Sequence, residues 1–207
     1  KGPVLQSVQH MRHSGLDCPW GQVANWDWSA HCVFPWGVQA SDFDASNKLV
    51  RPVDFRVFDQ WVKMWPDVRY YMIHAAAHNH IGAQYAGAAI DTPEFKQRVG
   101  EVMKAWAAHC KALKIKPSQI VLSICDEPRY ENTAKRVVQW AEAIKEAVPE
   151  FKIFVNPWFK GEQLKEPTVA RMLELCDIIA PPSPIFANVD YIWHYGAQRE
   201  QGKELGM

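Results

Sequence analysis

The sequence lacks an excess of charge of either sign and lacks a long apolar run. It carries 23 Lys and Arg residues against 23 Asp and Glu residues in 207 residues, so its formal net charge is zero. Proteins that bind nucleic acid or anionic membranes usually carry a basic patch, so we expect no nucleic-acid partner. Since no apolar run approaches the length of a membrane-crossing helix, we also predict no membrane span.

Cysteine is too sparse and too scattered for a disulfide framework or a zinc knuckle. The five cysteines are Cys18, Cys32, Cys110, Cys125 and Cys176. An odd number without close spacing predicts reduced thiols in the core. No glycine-rich phosphate loop follows any predicted strand, which removes the usual nucleotide signature. We therefore expect no metal and no cofactor.

The chain also lacks an initiator methionine and a signal peptide, because it opens Lys1-Gly2-Pro3. We interpret it as a piece cut from a longer protein. There is no low-complexity linker and no internal repeat, so we expect a single domain over residues 1–207, truncated at both ends. The compartment cannot be assigned from these residues.

Strands and helices alternate along the whole chain. Apolar runs bounded by turn residues predict strands at 18–28, 68–74, 119–126, 151–156 and 176–180. Helical periodicity predicts helices at 4–13, 54–65, 93–113, 132–148, 167–175 and 190–204. A turn-rich excursion separates the first strand from the second helix. Such alternation predicts an α/β fold with a parallel sheet.

The predicted domain is a partial (β/α)8 (TIM) barrel. About five strand-helix units of eight are present, since a complete barrel needs about 250 residues. We expect roughly one strand to be missing before the chain and two after it, supplied by the parent protein. A doubly wound open sheet is the alternative.

The strand at 119–126 ends in Asp126-Glu127-Pro128. In a β/α barrel the catalytic groups lie where the strands end. Strand alternation predicts that Leu122 and Ile124 meet the helices and that Glu127 points into the barrel. Pro128 is expected to hold Glu127 near extended geometry. The alternative is an ordinary solvated turn between a strand and a helix.

Other polar and aromatic residues also fall at predicted strand ends. The candidates for substrate binding are Trp28, His78, Asn79, His80, Asn156 and Trp158. Aromatic rings form platforms for the apolar faces of sugars, and Trp26 and Trp36 share such mouth-facing segments. Trp61, Trp65, Trp106 and Trp140 lie on predicted helices and are expected to pack in the core. Two carboxylates amid Trp and Asn suit glycoside cleavage, in which one acid protonates the leaving oxygen.

The residues Ile120-Val121-Leu122-Ser123-Ile124-Cys125-Asp126-Glu127-Pro128 resemble the catalytic strand of glycoside hydrolase family 123. The segments 106–116, 151–157, 176–181 and 198–205 are similar to that family as well. The Asp-Glu-Pro strand is the specific part of the resemblance, which spans most of the chain.

The resemblance implies a barrel that cleaves glycosides of N-acetylgalactosamine with retention of configuration. The substrate's own 2-acetamido carbonyl would attack the anomeric carbon and form an oxazoline-like intermediate. Glu127 would be the general acid and then the base, and Asp126 would orient the acetamido group. The partner would be a glycan that carries N-acetylhexosamine. The resemblance also suggests a bacterial protein that is exported or periplasmic.

Three other functions remain open from the residues. In an ordinary retaining glycosidase, Glu127 would be the acid/base and the nucleophile would lie on a missing strand. A metal-dependent hydrolase is suggested by His74, His78 and His80, because His-X-His at a strand end can bind zinc. A non-catalytic carbohydrate-binding barrel would use the tryptophans and tolerate the loss of Glu127.

Overall fold

The computed structural model describes residues 2–21, 32–77, 80–180 and 204–205, with the backbone alone at 80–81 and 204–205. The described helices are α1 (Pro3–His13), α2 (Arg56–Met64), α3 (Pro93–Ala112), α4 (Glu131–Ala147) and α5 (Pro167–Leu175). The described strands are β1 (Trp20–Gly21), β2 (Tyr71–His74), β3 (Gln84–Tyr85), β4 (Ala88–Ala89), β5 (Ile120–Ser123), β6 (Lys152–Val155), β7 (Ile178–Ile179) and β8 (Glu204–Leu205). Short 3-10 turns lie at Ala40–Asp42, His80–Ala83, Pro117–Gln119 and Gly161–Lys165.

Six of these described strands form one parallel sheet in the order β1-β2-β5-β6-β7-β8. The remaining two, β3 and β4, form an antiparallel hairpin inside the segment that connects β2 to α3. A helix lies between consecutive sheet strands from β1 to β7. Parallel neighbours need such crossovers, because a tight turn reverses the chain direction. The predicted α/β class with a parallel sheet is confirmed.

The two faces of the sheet have different neighbours. Leu122 and Ile124 belong to the main core, together with the buried residues of α2, α3, α4 and α5. Met72, Val121 and Phe154 belong to a second, smaller cluster that contains no residue of a described helix. Since successive strand residues point to opposite faces, the described helices pack on one face of the sheet. The expected orientation of Leu122 and Ile124 is confirmed.

Aromatic side chains fill the layer between the sheet and the helices. Trp106 and Trp140 are fully buried, and Trp61 and Trp65 are buried as well. Trp140 meets Phe95 edge-on, with ring centroids 5.0 Å apart. Truncating a buried aromatic of this kind typically costs about 3–5 kcal/mol. The expected packing role of the four helical tryptophans is confirmed.

The start of α3 shows how local sequence sets an element boundary. Thr92 precedes Pro93, and its Oγ1 accepts a hydrogen bond from the Phe95 backbone N–H at 3.3 Å. A threonine cap satisfies a donor that the first helical turn leaves unpaired, and proline at the first position has none to lose. The predicted beginning of this helix is therefore confirmed.

Several predicted boundaries are wrong. The strand expected to reach Asp126 ends at Ser123, and the carboxylates lie in the turn that follows. Glu204, expected at the end of a helix, pairs with Ile178 as part of β8. Pairing with a distant strand decides the conformation at Glu204, and residues 190–203 of that predicted helix lie outside the described part. The strand expected at 18–28 is described only at Trp20–Gly21, since residues 22–31 lie outside the described part.

Candidate active site

The carboxyl ends of β5 and β6 are held side by side by the register of the sheet, in which Ser123 pairs with Phe154. The chains that leave the two strands therefore run next to each other. The Asn156 side-chain amide donates from Nδ2 to Asp126 Oδ1 at 2.9 Å. The Glu127 backbone N–H donates to Asn156 Oδ1 at 3.0 Å. One neutral amide thus orients both acidic residues.

The backbone of Glu127 does not have the extended geometry that Pro128 predicts. Its φ is +43°, in the left-handed region. A residue other than glycine rarely adopts this region, and holding one there costs about 1–3 kcal/mol. Two hydrogen bonds hold the turn in place. The backbone N–H of Glu127 donates to the side chain of Asn156, and the backbone N–H of Trp158 donates to the Pro128 carbonyl at 2.9 Å. Contacts to the neighbouring strand exit therefore override the local preference.

The alternation expected beyond Ser123 also fails. Two-residue alternation would place Cys125 on the same face as Glu127, opposite Leu122 and Ile124, but Cys125 is packed with Ile124 in the core on the helix side. Burial raises the pKa of the Cys125 thiol to about 12, with Asp126 acting in the same direction and Arg136 against it. A thiol of this kind stays protonated near neutral pH and cannot act as a nucleophile. The candidate reactive groups of this turn are therefore its carboxylates.

Glu127 is bound by a cation that the sequence analysis did not single out. Arg129 Nη2 lies 2.6 Å from Glu127 Oε2, with the two side chains 49% and 40% exposed. The Arg129 guanidinium carbon also lies 5.6 Å from the centroid of the Trp158 ring. Tyr130, the next residue, is 65% exposed at the same turn. The only sequence signal for either residue was its closeness to Glu127 along the chain.

Both carboxylates are open to solvent. Asp126 is exposed and Glu127 is partly exposed. A cleft of about 410 Å³ is lined by residues of the 32–57 segment and contains neither acid. The expected sugar cavity around the two acids is thus not enclosed by the described residues.

A polar pair extends the site across the sheet face that carries no described helix. His74 ends β2 beside Ser123 in the register, and His74 Nδ1 lies 3.3 Å from Ser123 Oγ. Ser123 is only 1% exposed. By strand alternation His74 shares a face with Met72 and Ser123 shares a face with Val121, while Asn156 directly follows the last residue of β6. Polar groups thus follow the apolar cluster where β2, β5 and β6 end.

The segment that follows β2 is fixed against its surroundings. Arg136 Nη1 donates to the Ala77 carbonyl at 3.2 Å, and Trp140 Nε1 donates to the Gly82 carbonyl at 3.1 Å. The Ala77 N–H donates to the Ile124 carbonyl at 2.7 Å. A Cβ added at Gly82 would lie 2.0 Å from the Ala77 carbonyl oxygen, so only glycine fits this close approach. These contacts fix both ends of the segment that carries His78, Asn79 and His80.

The predicted site residues have three different outcomes. The structure brings four of them together where the chain leaves β5 and β6: Asp126, Glu127, Asn156 and Trp158. Trp28, His78 and Asn79 lie outside the described residues, and His80 is described by its backbone alone, in the 3-10 turn His80–Ala83. Trp36, a candidate platform, packs against Trp140 with ring centroids 5.5 Å apart and donates to the Ala75 carbonyl.

The described ranges bear on metal ligation and on membrane crossing. Within them, no group of three or more His, Cys, Asp and Glu side chains is arranged to hold a metal ion. In the same part of the chain, no helix is both long enough and apolar enough to cross a membrane. His78, a member of the proposed zinc cluster, lies outside these ranges.

Comparison with known proteins assigns no family: no protein-family model and no curated protein matches this chain at significant similarity. The function is therefore argued from the site and from the resemblance of its residues.

Proposed function

We propose that this chain is part of a retaining glycoside hydrolase that cleaves N-acetylgalactosaminides with the help of the substrate's 2-acetamido group. The observation that carries the proposal is the Asn156 bridge, which holds Asp126 by its side chain and Glu127 by its backbone. An ordinary retaining mechanism needs a nucleophile about 5 Å across the scissile bond from the acid. Adjacent acids on one turn instead suit a substrate that supplies its own nucleophile.

The proposed roles are those that the resemblance implies for each acid. Glu127 protonates the glycosidic oxygen while the acetamido carbonyl oxygen attacks the anomeric carbon, so that the alcohol leaves with the proton. Asp126 accepts a hydrogen bond from the acetamido N–H and stabilises the positive charge of the oxazoline-like ring. The Glu127 carboxylate then takes a proton from the water that opens this ring. Two displacements at the same carbon retain the configuration.

The role of Asp126 agrees with its hydrogen bonding. An ionised carboxylate accepts several hydrogen bonds and donates none. Because Asn156 is neutral, it orients the carboxylate without cancelling its charge. The exposed carboxylate can therefore accept the acetamido N–H as well as the bond from Asn156.

The proposal includes a partial (β/α)8 barrel. Two observations support it: the sheet strands follow chain order without reversal, and the described helices pack on one face. A doubly wound sheet instead reverses its strand order at a switch point and carries helices on both faces. Strands of the full-length protein would complete the barrel and the sugar pocket.

Hydrolysis of an aryl N-acetyl-β-galactosaminide by the full-length protein tests the proposal. We expect cleavage with retention of configuration, and a loss of about 10²–10⁴-fold in Glu127→Gln, the usual contribution of a general acid/base. Glu162→Gln is the matched control, since its side chain is 86% exposed and pairs only with the exposed Lys165 among the contacts described. No cleavage by the parent, or equal cleavage by Glu127→Gln, would overturn the assignment.

A second comparison separates substrate assistance from the ordinary two-carboxylate mechanism. Asp126→Asn should abolish most cleavage of the N-acetylgalactosaminide if Asp126 orients the acetamido group. The unsubstituted galactoside, which has a 2-hydroxyl group, should be a poor substrate for the parent. Efficient cleavage of that galactoside by both proteins would favour a nucleophile elsewhere in the full-length chain.

A further inference from the structure

We propose that Arg129 is a positioning residue whose guanidinium occupies Glu127 Oε2 until a sugar ring displaces that guanidinium from the face of Trp158. This inference rests on the proposed function and adds to it a coupling between substrate binding and proton donation. It begins from a single side chain that contacts both the proposed acid and the proposed platform.

Arg129 makes the two contacts at once. Its Nη2 lies 2.6 Å from Glu127 Oε2, and its guanidinium carbon lies 5.6 Å from the Trp158 ring centroid. The backbone N–H of Trp158 donates a hydrogen bond to the Pro128 carbonyl at 2.9 Å, so backbone contacts connect the segment of the platform to the turn of the acid. A displacement of Arg129 from the indole therefore also changes its contact with Glu127.

The ion pair and the acid role exclude each other at Glu127 Oε2. A guanidinium group only donates hydrogen bonds and keeps its protons in proteins. The oxygen that it contacts must therefore act as an acceptor. A general acid instead needs a proton on its carboxyl group, aimed at the leaving oxygen of the substrate. Arg129 must move away from Oε2 before that oxygen can carry and donate the proton.

A sugar ring competes for the place of the guanidinium. The apolar face of a sugar stacks on an aromatic ring, and cations are attracted to the same face of that ring. Both Arg129 contacts are weak, because exposed ion pairs and exposed cation–π pairs contribute little. The side chain is about half exposed, so it has solvent to move into. Binding of the correct substrate can thus release Glu127 at small cost.

Among the groups near Glu127, Arg129 is the one whose movement would change the contacts of the Glu127 carboxylate. On its own turn Glu127 has Asp126 and Arg129, and the first turn of α4 begins with Glu131. From the β6 exit, the neutral side chains of Asn156 and Trp158 face this turn. Arg136 of α4 bonds to the neighbouring segment after β2 and acts on Cys125. Of these groups, Arg129 is the cation that contacts the Glu127 carboxylate.

The test measures kcat and KM separately for the full-length protein with the aryl N-acetyl-β-galactosaminide. KM should fall about two- to threefold in Arg129→Gln, since the substrate no longer displaces a guanidinium from Trp158. The kcat of this variant should be retained, because Glu127 itself is unchanged. Arg129→Lys keeps a cation at this position and should keep KM within about twofold of the parent.

Arg56→Gln is the matched control. Arg56 also pairs with a carboxylate two residues away, Asp54, at 2.6 Å, but in a different part of the chain. This substitution removes the same charge and should leave both kcat and KM unchanged. A KM that does not fall in Arg129→Gln, or a loss of kcat in that variant, overturns the inference while the hydrolase assignment stands. An inactive parent overturns both.

Discussion

Replacing Asn156 by Asp separates the two hydrogen bonds of the bridging amide with almost no change in shape. The oxygen that accepts the Glu127 N–H is retained in the substitution. The nitrogen that donates to Asp126 Oδ1 at 2.9 Å becomes a second carboxylate oxygen. The strained backbone of Glu127 thus keeps its partner, while Asp126 loses a donor and gains a like charge.

The expected loss can be worked from these contacts. A hydrogen bond to a charged group contributes about 1.5–3 kcal/mol, and two like charges 4 Å apart repel by about 1 kcal/mol in water. Because Asp126 is exposed, we take low values for both effects. If the substitution costs about 2 kcal/mol of transition-state stabilisation, kcat/KM falls about thirtyfold. We expect the free energy of unfolding to fall by about 1–2 kcal/mol as well, because the lost donor and the added charge act in the folded protein with or without substrate.

The assay is steady-state hydrolysis of the N-acetylgalactosaminide by the full-length parent, Asn156→Asp and Asn156→Ala, with urea unfolding of each. Asn156→Ala removes both bonds, so it should lose stability as well as activity. Wild-type kcat/KM in Asn156→Asp would refute the idea that this amide orients Asp126 for the reaction.

Three further predictions concern the supports of the fold. Gly82→Ala should lower the free energy of unfolding by about 2–3 kcal/mol in urea, since its Cβ would collide with backbone. Gly2→Ala, with open space around it at the N-cap of α1, should lower it by less than about 1 kcal/mol. Asp177→Asn should lower the free energy of unfolding by about 1–2 kcal/mol, because its partner Lys145 lies 2.7 Å away and both side chains are largely buried. This loss of stability should remain in 1 M salt. Thr92→Ala should cost about 1 kcal/mol by loss of the α3 cap, and Thr92→Ser should restore most of it by the same measurement.

The architecture could be predicted from the sequence to a large extent. The alternation of strands and helices, the start of α3 at Thr92-Pro93 and the whole of α5 follow from patterns a few residues long. The orientation of Leu122 and Ile124 towards the helices follows from the two-residue period of a strand. These features were predictable because each depends on residues that are neighbours in the chain.

The geometry of the candidate site was decided by contacts between distant residues. The prediction of an extended Glu127 was wrong because Asn156, 29 residues away, bonds to its N–H. The contacts of Arg129 could not be predicted from the sequence for two reasons. The turn that carries it begins three residues earlier than the strand pattern indicated, and its second contact depends on the position of Trp158.

The amino-acid sequence by itself therefore determined the α/β class, the parallel sheet and the place of two acids after one strand. Only the tertiary structure decided how those acids point and what they touch. The physical reason is that periodicity and capping act through the local backbone, whereas the register of β5 against β6 brings together side chains that no local pattern connects.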